Sequence, residues 1–408
     1  MAYIRLDSLA FERNLNALRE HICAKTSAQS GAQTNNNQAG DKTSDSQTTN
    51  NQVGAPEMAL VLKDNAYGHG LEQIAALARA WGIKSVFVKN YAEAQKIAHL
   101  FPAITALYGR IPLNAPSNIY HSITSISELK YLINELESAQ NLDSSHRSTS
   151  ATHPAPANSA HPIELKVNIG MNRNGISFCE LDSALELIAK APRIRLAGVF
   201  AHNGYGDNDD KAFEASLENF AKIKRRVCAW SEAQNIARPR FHSLSTSGAL
   251  RVAQEPKIAQ GVLFGEGADD LVRIGIGAYG YHTSDIALHI SLTPIASLWA
   301  QKISSHFLEK GERIGYGGVS VVRQSGVFST YDVGYGDGLF RLSGKEAPLF
   351  CASGEEILPI MSMDCFSCAG EREEVCVFDD VREYAKCFGT IPYVILTHLS
   401  PFLKRVVV

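Results

Sequence analysis

Lys63 closes an apolar run, Ala59-Leu-Val-Leu-Lys63, and opens a polar, glycine-containing one, Asp64-Asn-Ala-Tyr-Gly-His-Gly70. A lysine at the end of an apolar strand either snorkels to solvent or is partly desolvated. Burial disfavours its charged form, lowers its pKa and frees the amine for Schiff-base chemistry. A second basic pair follows in Lys166-Val-Asn-Ile-Gly-Met-Asn-Arg173, and His202 ends the run Gly198-Val-Phe-Ala. Hydroxyls then cluster in Ser243-Leu-Ser-Thr246-Ser, and Arg273 is followed at once by Ile-Gly275-Ile276-Gly. Hydroxyls beside a glycine-rich turn can cradle a phosphate through O–H and backbone N–H donors. A lysine able to form a Schiff base and a site able to hold a phosphate are the two chemistries these residues offer.

Each of these groups sits where a strand should end. Apolar runs at 59–62, 85–89, 104–108, 121–124, 163–168, 195–201, 240–244 and 270–275 alternate with stretches of three-and-four apolar spacing. Those stretches fall at 7–23, 71–81, 91–100, the segment SELKYLINEL, 180–191 and 211–235. Eight strands alternating with helices over about 250 residues predict a (β/α)₈ barrel, a TIM barrel, over residues 1–285. The helix expected within 245–269 is weakly marked. From about residue 286 to 408 the pattern changes to short β-prone runs such as IASLWAQKI, SVVRQSGVF, STYDVGY, VCVFDD and YVILTHL. A separate, mostly β domain is expected there.

Two low-complexity stretches interrupt this order, 27–56 and 139–161, rich in Gln, Asn, Ser, Thr, Ala and Pro. Neither can bury enough apolar surface to offset its ordering entropy, so both read as flexible surface insertions. Both precede a strand. In a barrel the loops entering strands lie opposite the catalytic face, so neither insertion is expected to carry chemistry.

The motifs in order resemble the alanine racemase family. Lys63-Asp-Asn-Ala-Tyr-Gly-His-Gly70 is similar to its cofactor-lysine signature, with Asp64 where alanine is more common. Lys166 to Gly175 resembles its K-x-D/N-T-G-M-x-R-x-G, and Val272 to Gly280 its V-R-x-G-x-x-x-Y-G. In the second domain Glu312-Arg-Ile-Gly-Tyr316-Gly, Val333 to Arg341, Met363-Asp364 and Ile391-Pro-Tyr393 continue the likeness. Ser245-Thr246 departs from it, standing where the family has Asn-Ser.

The resemblance implies pyridoxal 5′-phosphate borne on Lys63. Tyr67, Thr246, Gly275, Ile276 and Tyr393 would meet its phosphate, and Arg273 its ring nitrogen. Arg173 would meet the phenolic oxygen and the substrate carboxylate, and Met363 would offer that carboxylate its N–H. His202 would hydrogen-bond the catalytic tyrosine and the arginine beneath the ring. Lys166 would be the lysine that is carbamylated in some members. Tyr316 would be a second base supplied across a homodimer interface, with Lys63 serving the D-isomer and Tyr316 the L-isomer. The implied reaction interconverts L- and D-alanine and supplies D-alanine for peptidoglycan. An arginine at the ring nitrogen is always charged and does not readily leave a proton there, which disfavours transamination and decarboxylation. A decarboxylase of similar architecture, a racemase for serine or a basic amino acid, and a non-catalytic cofactor-binding protein are the rival readings. Arg273 and Tyr316 speak against the first, and the C-terminal domain against the last.

Composition adds exclusions. With 45% hydrophobic and 20% charged residues, the chain is ordinary for a globular protein, and a formal charge of −3 offers nothing to nucleic acid. No apolar run approaches the roughly 18 residues of a membrane span, and charges occupy the start where an export signal needs apolar residues. Eight cysteines scattered over 408 residues suggest reduced thiols in a cytoplasm. Cys365 and Cys368 form a C-x-x-C without a second pair at zinc spacing, so no metal site is expected.

Overall fold

The computed structural model describes residues 1–23, 54–145, 160–208, 211–282 and 284–408. Residues 24–53 and 146–159, which hold most of the two low-complexity stretches, lie outside the described residues.

In chain order the first nine strands are β1 (Tyr3–Leu6), β2 (Glu57–Val61), β3 (Ser85–Val88), β4 (Ala103–Ala106), β5 (Ile119–Ile123), β6 (His161–Lys166), β7 (Ile194–Phe200), β8 (Arg240–His242) and β9 (Leu271–Ile274). Strands β2 to β9 form one parallel sheet in the order β8-β7-β6-β5-β4-β3-β2-β9. Two backbone bonds span its seam. Asp270 N donates to Phe241 O at 2.7 Å, and Arg273 N to Leu244 O at 3.0 Å. The eight runs read from sequence are these eight strands, displaced by a residue or two. Every residue of β3, β4 and β6 is buried, as expected of parallel strands covered on both faces.

The surrounding helices form because their apolar residues recur every three or four positions. Leu71–Trp81 buries Leu71, Ile74, Ala75 and Ala78 and stops at Gly82, whose φ of 111° is open to glycine at little cost. Leu181–Ala189 buries Leu181, Ala184, Leu185 and Ile188 in the same way. Each buried Leu or Ile contributes about 1.5–3 kcal/mol, so a charge at Ile74 would undo the packing of its helix. The weakly marked region 245–269 holds two short helices, Thr246–Ala253 and Pro256–Val262.

The second domain is built on β10 (Ala296–Leu308), with β11 (Arg313–Ile314), β12 (Ser320–Val321), β13 (Gly326–Tyr331), β14 (Phe366–Ala369), β15 (Glu374–Phe378) and β16 (Lys404–Val407). The main sheet runs β14-β13-β10-β1-β16, with β15 also on β10. The N-terminal strand β1 therefore lies between β10 and the C-terminal strand, pairing Tyr3 with Trp299 and Lys404.

One β-prone run is corrected. YVILTHL is a helix, Pro392–His398. Proline at the first helical position gives up no hydrogen bond and presets φ. Ile395 and Leu396 are buried, and that packing overrides the β preference of Val394 and Ile395.

Candidate active site

Lys63, Lys166, His202, Thr246 and Gly275 all stand at or just beyond the C-terminal ends of barrel strands. They face one cavity of about 210 Å³, which also has Tyr67, Arg173, Arg273, Ile276 and Tyr393 in its wall. Ten of the residues expected at the site are thus brought together. Tyr316 and Met363 are not: within one chain they stand on the second domain, 64% and 54% exposed. Their loops share a patch. Ser320 donates to the Pro359 carbonyl, and Gly336 N to Met363 O at 2.8 Å.

The turn after Lys63 explains its sequence. Asp64, Asn65, Ala66 and Tyr67 all have φ between 52° and 56°, a left-handed turn of non-glycine residues. That conformation costs roughly 1–2 kcal/mol per residue, so it must be held from outside. Asn65 N donates to Glu93 Oε1 at 2.9 Å, and Asn65 Oδ1 accepts from Leu71 N at 2.8 Å. Arg405, on β16, donates to the Gly68 carbonyl at 2.8 Å. Gly68 has φ 83° and lies against the Leu396 carbonyl, where a Cβ would come within 1.9 Å. The turn carries Tyr67 into the cavity wall, 7% exposed, packed on Tyr279 and Tyr393 at ring distances of 5.2 and 5.9 Å.

Tyr67, Thr246 and Gly275 meet in the cavity wall, where a Cβ on Gly275 would lie 2.8 Å from the Tyr67 hydroxyl. Gly275 N donates to Thr246 Oγ1 at 3.0 Å. Thr246 opens the helix Thr246–Ala253, whose N-cap is Ser245. Burial pushes the Tyr67 phenol well above its ordinary pKa, so it stays protonated as a donor. Two hydroxyls with a helix N-terminus are suited to an anion.

The rest of the cavity is strongly cationic. Burial lowers the Lys63 pKa, and Arg173 and Lys89 lower it further against the opposing pull of Asp64. Asp64 is itself paired with Lys89 at 2.7 Å. Burial, then Arg173, Arg273 and Lys63, push Lys166 down to about 8. Its Nζ donates to Asn174 Oδ1 at 2.6 Å. Burial and the same cations lower His202 to about 3, so it is neutral. Arg273, 7% exposed, is lowered to about 10 by burial and remains charged at neutral pH. The cavity thus joins a lysine amine of lowered pKa to two hydroxyls beside a helix N-terminus and a buried guanidinium.

One expected contact is corrected. His202 lines the cavity but makes no hydrogen bond to Arg273 among the described residues. The imidazole bonded to Arg273 Nη1 is that of His242. His242 is the last residue of β8, its side chain turned to Glu164 and Arg273, whereas His202 lies two residues beyond the end of β7. Sequence reasoning passed over His242 and also Glu164 and Asp207. Glu164 alternates with Lys166 on β6, a pattern visible in sequence as two charges facing one side. Asp207 brings a carboxylate to the cavity wall, and its buried Oδ1 has no hydrogen-bond partner among the described residues.

A parallel barrel with a half-buried lysine of lowered pKa in a cavity at its C-terminal face, followed by a mostly β domain, has the architecture of a barrel enzyme. Residues 45–283 match the model "Alanine racemase, N-terminal domain" and residues 295–407 "Alanine racemase, C-terminal domain". The alanine racemase of Nitratiruptor sp. is 36% identical over 353 residues, 86% of this chain and 92% of that protein. That of Campylobacter concisus is 36% identical over 352 residues, with the same shares. The chain belongs to the alanine racemase family. Among solved structures, alanine racemase of Clostridium difficile 630 superposes with TM-score 0.75 at 18% identity, covering 100% of this chain and 95% of that one. Alanine racemase of Bartonella henselae with covalently bound pyridoxal phosphate gives 0.69 at 20% identity, covering 100% and 99%. A histidine racemase of Leuconostoc mesenteroides gives 0.72 at 21% identity, covering 100% and 98%. At these identities the likeness is one of fold. No helix among the described residues is long and apolar enough to cross a membrane.

Proposed function

We propose that this chain interconverts L- and D-alanine with pyridoxal 5′-phosphate on Lys63, acting in the cytoplasm to supply D-alanine for peptidoglycan. The observation that carries the reading is the meeting of Lys63 and Arg273 in one cavity with the Tyr67–Thr246–Gly275 cradle. The covalently bound cofactor named for the Bartonella henselae structure supports it, and the curated relatives support alanine as substrate.

Bound there, pyridoxal phosphate supplies an electron sink that acidifies the hydrogen on the substrate Cα. The protein supplies orientation and proton transfer. Tyr67, Thr246 and the backbone at Gly275 and Ile276 hold the phosphate, with Tyr393 at the wall. Arg173, exposed at the cavity mouth, presents a planar guanidinium to the substrate carboxylate. Arg273, charged at neutral pH, would donate to the ring nitrogen and would not readily give up a proton to it. Racemisation removes a proton from one face of Cα and returns one to the other, so two bases are needed. Lys63 serves one face. Tyr316 of a second copy serves the other, with Met363 offering its N–H to the carboxylate. The exposed patch of Tyr316, Val319, Val321 and Met363 on the second domain is a surface fit for such a homodimer.

The test loads the purified protein with pyridoxal phosphate, reduces it with borohydride and locates the modified peptide, followed by a chiral assay on L-alanine. Modification at Lys63 with formation of D-alanine is the expected result. Modification without D-alanine would move the substrate to another amino acid, as the histidine racemase fold neighbour shows is feasible on this scaffold. Absence of modification would overturn the reading.

A further inference from the structure

Beneath the cavity, a line of polar groups runs down the barrel interior that proton transfer at the substrate does not use. His242 bonds Arg273 through Nδ1, and its Nε2 lies 3.3 Å from Glu164 Oε1. The same oxygen accepts from Arg240 Nε at 2.6 Å. The other Glu164 oxygen accepts from the Thr105 hydroxyl at 2.9 Å. Arg240 also donates to Ser85 Oγ at 3.1 Å and Thr105 Oγ1 at 3.3 Å. Five strands contribute: β3, β4, β6, β8 and β9. Glu164 and His242 are both fully buried. The imidazole lies flat on Phe200, with ring centroids 5.1 Å apart and 11° between planes, and edge-on to Phe87 at 5.1 Å.

The direction of each hydrogen follows from the donors present. A guanidinium only donates, so His242 Nδ1 must be the acceptor and carry no proton. The imidazole is neutral, because burial holds its pKa down to about 4. Its single proton is then on Nε2, facing Glu164. Burial alone would raise the Glu164 pKa, but Arg240 and His242 outweigh it and keep the carboxylate well below its usual range. The acceptor for Nε2–H is therefore always present. The remaining acceptors of Arg273 are the backbone carbonyls of Ala201, His242 and Ser243, so His242 is the one side chain that holds it among the described hydrogen bonds.

We infer that Glu164 is a positioning residue that fixes the Nε2–H tautomer of His242 and through it pins the Arg273 guanidinium at the floor of the cavity. Without an acceptor at Nε2 the imidazole gains by moving its proton to Nδ1 and a backbone carbonyl, and Arg273 loses its aim. Arg240 serves to neutralise the buried carboxylate. The effect on catalysis rests on the reading of Arg273 as partner of the ring nitrogen; the tautomer does not.

The test uses the full chain, free of cofactor and labelled with ¹⁵N-histidine, with the His242 signals assigned by their loss in His242→Asn. The wild type should show the Nε2–H pattern. Glu164→Leu with Arg240→Leu removes acceptor and countercharge together, an exchange that buried ion pairs tolerate. In that variant the pattern should become mixed. After cofactor loading, kcat should fall on the order of tenfold, the lower end of the cost of removing the partner that orients a metal-bound histidine, with KM for alanine little changed. Glu164→Gln keeps an acceptor and should restore both the Nε2–H pattern and most of kcat. An Nδ1–H or cationic His242 in the wild type overturns the inference, and decides the matter even if the leucine pair does not fold. So does an unchanged tautomer and kcat in the leucine pair, whatever its melting temperature, or a Gln variant as defective as that pair. A protein that bound no pyridoxal phosphate would still report its tautomer, so failure of the proposed function would be seen separately.

Discussion

Tyr67 and Gly275 meet across the cradle so closely that a methyl group on residue 275 would stand 2.8 Å from the Tyr67 hydroxyl oxygen. The absence of a side chain there is what leaves room for the Tyr67 phenol in the cavity wall. Gly275→Ala should push Tyr67 aside and cost a hydrogen bond to a charged group, about 1.5–3 kcal/mol. The apparent Kd for pyridoxal phosphate, measured by absorbance titration, should rise by roughly 10- to 100-fold. An unchanged Kd would mean that Tyr67 does not hold the phosphate.

Cofactor loading should follow the ionisation of Lys63. Burial, with help from Arg173 and Lys89, lowers its pKa, so the reactive neutral amine is present at a lower pH than for a free lysine. Asp64 opposes that shift. The pH at which loading becomes half-maximal in rate should therefore fall in Asp64→Asn and rise in Arg173→Gln. Stopped-flow loading rates across pH check this, and shifts in the reverse directions would contradict the electrostatic account.

If Tyr316 works in a partner's site, two inactive chains should complement each other. Lys63→Ala and Tyr316→Phe should each lose about 10²- to 10⁴-fold in racemisation, the scale of a general base. Mixed in equal amounts after dissociation and reassociation, half the dimers are hybrids with one intact site each, so about a quarter of the wild-type rate should return. No recovery from hybrids shown to have formed would argue that Tyr316 acts elsewhere.

Lys166 offers a modification test. Its pKa of about 8 leaves much of the amine neutral near that pH, and Arg173, Arg273 and Lys63 surround it with positive charge. Carbon dioxide reacts with the neutral amine, and the resulting carbamate would be an anion among three cations. With ¹³C-bicarbonate a carbamate signal should appear, weaken as pH falls below about 8, and vanish in Lys166→Ala. A spectrum identical in the wild type and that variant would exclude it.

Acid should destabilise the cofactor-free protein early. Burial lowers His69, His161 and His242 from 6.5 to about 4. Between those values the unfolded chain binds more protons than the folded one. The stability they contribute is complete above pH 6.5 and is lost as pH falls toward 4. Calorimetry should show the melting temperature declining through this window; a flat profile would mean that these histidines titrate normally.

Much of this site is legible in sequence because strand ends are a local property. An apolar run that stops at Lys63, Lys166 or Gly275 marks both the strand and the face on which the next residue emerges, and the eight barrel runs were all found in this way. The order of chemical groups along the chain needed no tertiary information. Partner choice did. His202 and His242 both follow or end apolar runs, yet only His242 bonds Arg273. Their difference depends on the pairing of β8 with β7 (Phe200 opposite His242) and on Arg273 crossing the seam from β9. The strand at Tyr3–Leu6 is four residues long and pairs with residues as remote as Trp299 and Lys404, so no local pattern announces it. The left-handed turn at Asp64–Tyr67 and the helix at Pro392–His398 run against intrinsic preference and exist because distant groups hold them. The sequence by itself determined most of the groups that face the cavity and their order along the chain, though not Asp207. The tertiary structure decided which of them touch, because a hydrogen bond is set by register and packing between strands remote in the chain, and neither is written in any one of them.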